Sequence, residues 1–434
     1  MNEISQKLKL PEGWKWVRLG EVVEESKERN TRSLVKTVLT ISNQYGFVDQ
    51  SDFFGRLLSS KDTQKYKVVS TNYFAYNPAR INVGSIALNE IPESGILSPM
   101  YVVFKIKYSL MPKFFKFYTL TDRFKNQVLN GLAGSVRECL SFSSLITFAF
   151  PLPPLPEQQK IAEILETVDN AREKTDQIIE KYKRIKQGLM QELLTKGIDE
   201  NGKIRTEKTH RFKDSPLGRI PEEWEVKRLG EVISQIETGT WGDEIHTNYN
   251  NVFPIIRSTE IDEEGRFDLS TVAYRSLPYK KAIKYILNIG DILLVASSGS
   301  PDLIGRAAII KSIPKDIKLL FSNFMLCIRS KNNIIISKFL FYILRSSLYC
   351  SFLSSFRETT TGLINFPKSE FENFEIPLPP LPEQQKIAEI LSQIDEVIEK
   401  ETQYRDKLKR LKAGLMEDLL TGKVEVNHLI KEEA

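Results

Sequence analysis

The chain has 434 residues, 41% hydrophobic and 27% charged, a balance that fits roughly two to four folded units and excludes a polypeptide disordered throughout. Lys and Arg total 61 against 56 Asp and Glu, and the resulting +5 admits a polyanionic partner without demanding one. Three cysteines outside any CxxC pair, and apolar runs as short as Ile292 to Ala296 against the ~18 residues of a membrane span, exclude a disulfide scaffold and a membrane helix, so a reduced, cytoplasmic setting is expected.

The first variable domain, residues 1–150, opens with Trp14 and Arg18-Leu19-Gly20-Glu21-Val22. Val, Ile, Phe and Tyr enrichment predicts strands over 66–70 and 100–107, and a helical segment follows over 112–130. The stretch from Tyr76, Asn77 and Arg80 to Asn82 and Ser85 sets amide, guanidinium and hydroxyl groups on a turn. Arg and Asn suit bidentate contacts to guanine and adenine edges, while Ser and Gly let backbone approach phosphate. Asn77-Pro78-Ala79-Arg80 starts like the Asn-Pro-Pro-aromatic motif of amino-methyltransferases, but Arg80 stands where the aromatic would be and no FxGxG loop precedes it. Arg137 is a further candidate contact.

Residues 151–197 begin PLPPLPEQQKIAEIL, and the same fifteen letters return at 377, an offset of 226. Pro156 suits a first helical turn and Glu157 complements its dipole. Ile161, Ile164, Val168, Ala171, Ile178, Tyr182, Ile185 and Leu189, with Thr175 in the remaining slot, then recur at threes and fours. That is a coiled-coil seam on a helix predicted over 157–195, about 58 Å long, with Gly197 as its stop. Gly188 lies inside it, which suggests close backbone packing. The basic run Lys181 to Lys186 reads first as a solvated helix face. Residues 198–220 are polar and charged and read as a linker.

The second variable domain, residues 221–376, repeats the opening with Trp224 and Arg228-Leu229-Gly230-Glu231-Val232. Strands are predicted over 291–296, 306–311 and 324–329, and a helix over 335–354. Each variable domain is thus an α/β or α+β fold, one fold with different loops. Ser297, Ser298, Ser300 and Arg306 occupy the loop matching that of Asn77, and Arg257, Arg357 and Thr360 are further candidate DNA contacts. Residues 377–423 form the second helix, with Ile387, Ile390, Ile394, Val397, Tyr404, Leu408, Leu411 and Leu415 on its seam, Glu401 in the slot of Thr175, Gly414 in that of Gly188 and Gly422 as its stop. Two helices of one register most simply pack on each other. Residues 424–434 are a tail.

No catalytic constellation accompanies this plan. GxxxxGK[ST] is absent, and His210, His246 and His428 are scattered without metal-ligand spacing. A coiled-coil scaffold that ignores nucleic acid, and an enzyme with an unrecognised site in one variable domain, are the readings set against a DNA reader.

The doubled PLPPLPEQQKIAEIL, the helix ends GLMQELLT and GLMEDLLT, and the Trp…Arg-Leu-Gly-Glu-Val domain starts resemble the specificity subunit of type I restriction-modification systems, from about Pro11 to Lys423. The resemblance implies two target-recognition domains, each reading one half of a split site in double-stranded DNA, and two long helices forming an antiparallel coiled coil in a pseudo-twofold internal repeat. That coiled coil would space the half-sites and dock two methyltransferase (M) subunits, joined by restriction (R) subunits. Catalysis would belong to those partners, with S-adenosylmethionine, ATP and Mg held there and no cofactor on this chain.

Overall fold

Each half of the sequence builds the same four-stranded antiparallel sheet. The computed structural model describes residues 10–55, 62–133, 139–245, 251–357 and 364–430. In the first half Val23–Ser26, Val102–Ile106, Phe74–Tyr76 and Ile86–Leu88 lie side by side in that order. The second half repeats the order with Ile233–Thr238, Met325–Ser330, Ile292–Val295 and Ala307–Ile309. Alternation along the strands sends Phe74, Tyr76 and Phe104 to one core with Phe114 and Phe115, and Ala75 and Val103 to another with Leu39 and Leu97. Ile292 and Leu294 likewise part from Leu293 and Val295. Both sheet faces are covered, which is why inner strands such as Phe74–Tyr76 and Ile292–Val295 read as unbroken apolar runs.

The residues group into two compact units, 1–177 with 402–434 and 178–401, so each unit holds part of both long helices. The helices span Leu155–Leu193 and Leu381–Leu420, and Gly197 and Gly422 follow them at φ +63° and +75°, the left-handed stops expected from sequence. In the first unit Lys412 Nζ meets the two Asp169 oxygens at 2.7 and 2.6 Å, and Arg405 lies 3.9 Å from Asp176. Advancing from Asp169 to Asp176 on one helix therefore moves backward from Lys412 to Arg405 on the other, so the helices run antiparallel. In the second unit Lys186 Nζ sits 2.5 Å from Asp395, whose other oxygen accepts the Tyr342 hydroxyl at 2.7 Å.

These ion pairs correct the expected seam. Ile178, Ile185, Tyr404 and Leu411 are 39%, 39%, 49% and 50% exposed, while the residues one step later, Ile179 and Lys186, are buried and Arg405 and Lys412 are half-buried. Ile164, Ile390 and Val397 are likewise only half-buried, beside fully buried Leu165, Leu391 and Ile398. The structure keeps Ile161, Val168, Thr175, Tyr182 and Leu189, and Ile387, Ile394, Leu408 and Leu415, on or beside the buried line. Only the alternate positions slip. A seam chosen for apolar side chains skips Lys186 and Lys412, yet a facing aspartate makes each of them an inward residue.

The repeated PEQ triplet fastens each helix to its sheet. Glu157 accepts the Trp14 indole N–H at 2.9 Å, and Glu383 accepts that of Trp224 at 3.0 Å. Gln158 takes the Met111 N–H through Oε1 at 2.7 Å and donates to the Ser109 and Pro153 carbonyls; Gln384 does the same with Ile336, Ile334 and Pro379. Short ladders complete the joint, Lys15–Arg18 pairing with Ala149–Leu152 and Glu225–Arg228 with Glu375–Leu378.

Three further expectations change. The helical segments over 112–130 and 335–354 are each broken in two, as Pro112–Tyr118 with Asp122–Leu132 and Ser337–Ile343 with Ser347–Arg357. Thr121 caps the second piece of the first pair through the Phe124 N–H at 3.3 Å. The polar stretch 198–220 is folded rather than free: Ile198 and Ile220 enter the second unit's core, and Phe212–Ser215 pairs with Gly218–Pro221. Gly188 and Gly414 are exposed, and a Cβ on either would meet nothing within 4 Å, so no close packing explains them. No helix among the described residues is long and apolar enough to cross a membrane.

Candidate nucleic-acid interface

In the first unit the loop after Phe74–Tyr76 divides into a scaffold and an exposed tip. Tyr76 is fully buried, its hydroxyl donates to the Leu140 carbonyl at 3.1 Å, and burial pushes its pKa up, so it belongs to the core. Asn77 is buried too. Its Oδ1 accepts the Ala79 N–H at 3.1 Å and its own N–H bonds Ser85 O at 3.0 Å, which shapes the turn. Ser85 is buried beside it. Tyr76, Asn77 and Ser85 thus hold the loop, and of the five candidate contacts on it Arg80 and Asn82 are the exposed ones. Asn43, in the turn between Leu39–Ser42 and Gly46–Asp49, reaches this loop through its Nδ2 on the Val83 carbonyl at 2.7 Å. With Tyr45 64% exposed on the same turn, that hairpin extends the face.

In the second unit Ser297 and Ser298 form a short strand against Asn365 and Ile364, and Ser298 Oγ accepts the Ser300 N–H at 3.0 Å. Ser300 is exposed. Arg306 is half-buried and its Nη1 lies 3.5 Å from the Ile261 carbonyl, inside the fold. Arg257 is held by Glu260, its Nε at 3.0 Å and its Nη2 at 2.5 Å from Oε1, and its Nη2 also donates to the Thr271 carbonyl at 2.9 Å. The carboxylate beside it raises the Arg257 pKa further above its ordinary value. Arg357 ends the helix Ser347–Arg357. Arg137 and Thr360 lie outside the described residues.

Arg257 lines a cavity whose rim residue Phe324 also anchors the backbone of Ser297. Ala296 and Ser297 donate their N–H groups to the Phe324 carbonyl at 2.8 and 3.1 Å. Phe324, Asn323 and Ser322 line a cavity of about 290 Å³ with Trp241, Arg257 and Thr259. Trp241, Ser322, Asn323 and Phe324 escaped the sequence reading because they are distant in the chain and come together only when Thr240 N–H bonds the Phe321 carbonyl at 3.0 Å. The one local signal was aromatics set among Ser, Thr and Asn, a composition suited to stacking on bases. Among the described residues no His, Cys, Asp and Glu side chains gather in a way that could hold a metal ion.

Comparison with known proteins matches this arrangement. The family model described as type I restriction modification DNA specificity domain matches residues 11–184 and again 221–410, one match per repeat. The type I restriction enzyme MjaVIII specificity subunit of Methanocaldococcus jannaschii is 31% identical over 433 residues, covering 97% of this chain and 95% of that protein. A crystal structure of a type I restriction-modification S subunit from M. genitalium shares the fold at a TM-score of 0.59 and 13% identity, over 96% of this chain and 98% of that one. A structure described for complex assembly and conformational transition of the type I R-M system aligns at 0.52 and 20% identity, over 96% and 100%. Two family matches on two copies of one fold, and a relative similar along its whole length, place this chain in the type I restriction-modification DNA specificity family, as a specificity subunit with two DNA-recognition domains.

Proposed function

We propose that each unit reads one half of a bipartite DNA site, that the paired helices set the unread spacer between the halves, and that they dock two methyltransferase subunits. The observation that carries this reading is a constant frame bearing unlike loops. Trp, Glu and Gln clamp both helices to their sheets in the same way, while the loop of Arg80 and Asn82 in one unit is replaced by that of Ser297 to Ser300 in the other. A frame that repeats while its exposed loops diverge suits two readers with different targets. Methylation and cleavage belong, in this reading, to M and R subunits, which supply S-adenosylmethionine, ATP and Mg. This chain contributes the address.

Co-expression with the methyltransferase subunits, followed by mapping of methylated bases, tests it. A two-part motif that depends on this chain is expected. Stable complexes without sequence preference would instead mark a scaffold, and activity of the chain alone an enzyme. Adding one heptad to both helices lengthens each by about 10.5 Å and should widen the spacer by roughly three base pairs at ~3.4 Å each. An unchanged spacer would remove the helices from that role.

A further inference from the structure

The cavity under Trp241 and Phe324 has properties that a surface turn lacks. Ser322 is fully buried, and its Oγ has no hydrogen-bond partner among the described residues. An unpaired buried hydroxyl costs on the order of 1–3 kcal/mol, so a native fold that keeps one calls for a partner that completes it. The backbone around it is tightly held: Ser322 N–H donates to the Ile256 carbonyl at 2.8 Å and its own carbonyl accepts Met325 N–H at 3.0 Å. Gly239 passes so close that a Cβ there would collide with the Ser322 and Phe321 carbonyls. Trp241 carries the Arg275 guanidinium over its ring at 4.6 Å, and Phe324 is 46% exposed at the rim.

The charge balance selects the ligand. Arg257 is the cation among the lining residues, and Glu260 already neutralises it through two of its nitrogens. A phosphate would need unpaired cations or converging backbone N–H groups. What the cavity offers is the aromatic face of Phe324, beside a Trp241 ring already stacked on Arg275, with a hydroxyl and an amide next to them, which matches a flat heteroaromatic ring with a polar edge. Resting on the reading that this unit recognises DNA, we infer that the cavity receives one base of the half-site read by the second unit. Phe324 contacts its face, and Ser322 and Asn323 discriminate its edge.

The full complex with its methyltransferase subunits, bound to a library of DNA sites at constant salt, tests the assignment with Ser322→Ala, Asn323→Ala and Phe324→Ala. Each should relax the preference at one shared position of one half-site by about tenfold to a hundredfold, with the other positions unchanged. Ser322→Ala removes an unbonded hydroxyl, so its thermal unfolding should equal or exceed that of the unaltered chain. Lost discrimination without lost stability is an outcome that a purely structural serine cannot give. Unchanged preference at every position, or uniform weakening across all sequences, overturns the inference. A complex of the unaltered chain that prefers no sequence would instead sink the underlying reading.

Discussion

Glu157 and Glu383 stand at the same point of two identical motifs, and the two units keep them buried in different company. Glu383 accepts from Trp224, from the Ile198 N–H at 2.9 Å and from both ends of the Arg205 guanidinium, which the folded segment after the first helix brings to it. Glu157 accepts from Trp14, and its pKa is raised, chiefly by burial and also by nearby Glu425, with the indole hydrogen bond opposing. One carboxylate is neutralised by a cation and the other is held near a like charge. The lesson is that a motif repeated letter for letter acquires its energetics from the segment that covers it.

The largest effect should come from separating Arg205 and Glu383. Arg205→Ala leaves a buried carboxylate with its hydrogen-bond donors but no countercharge, and breaking such a pair typically costs about 3–5 kcal/mol. Amide exchange should report the loss across the second unit, with residues 197–205 opening first and the first unit unaffected. Uniform exchange in both units would show that the clamp is not local.

Second in size is the seam ion pair. Lys412→Ala leaves Asp169, whose side chain is 29% exposed, with only the longer Arg172 contact at 3.8 Å, and should cost about 1–3 kcal/mol in chemical denaturation. Exchanging the two, Asp169→Lys with Lys412→Asp, should recover part of that loss, and a double-mutant cycle measures how much. The counterpart Lys186 is more deeply placed, its pKa lowered by burial against the pull of Asp395, so Lys186→Ala should cost more than Lys412→Ala.

This pair also explains how far the sequence carried. The two helices, their stops at Gly197 and Gly422, four strands of the four-stranded sheets with the outlying Lys67–Val69, and the doubled plan follow from period, punctuation and repetition, all of which are local. The seam was legible at every seventh residue and wrong at alternate slots, because Ile178 and Ile185 look like core while Lys186 becomes core only through an aspartate on the other helix. The candidate DNA contacts divide between scaffold and exposed tip for the same reason. Asn77 and Arg80 are three residues apart and equally polar, yet one is spent on its own turn and the other is exposed. Trp241 and Phe324 needed a hydrogen-bonded crossing of distant segments before they formed one cavity.

A smaller effect is the pH dependence that Glu157 imposes. A carboxyl whose folded pKa lies above its unfolded value binds its proton more tightly when folded. The fold then gains stability as pH falls through the raised value toward the ordinary 4.5, and loses it as pH rises through that window. Glu157→Gln keeps an acceptor for Trp14 and removes the buried charge. Its stability above the window should lie within about 1 kcal/mol of the unaltered chain, and the first unit's rise in stability on acidification should disappear. Denaturation of both proteins between about pH 4.5 and 7 checks this; parallel curves would mean that Glu157 does not supply the dependence.

The smallest effect falls where the two units agree. Gly188 and Gly414 share one helical turn of the repeat, are exposed, and face open space where a Cβ would go. Glycine inside a helix costs roughly 0.5–1 kcal/mol relative to alanine because the unfolded chain loses more freedom on ordering. Gly188→Ala and Gly414→Ala should therefore each raise stability by about that amount, and the double variant should show the sum, since the two lie in separate units. Unequal gains would show that the repeat's helices differ in backbone strain at this turn. Equal gains accompanied by weaker assembly with a methyltransferase subunit would place the requirement for glycine on the outer surface of the helices, where only a partner's backbone could impose it.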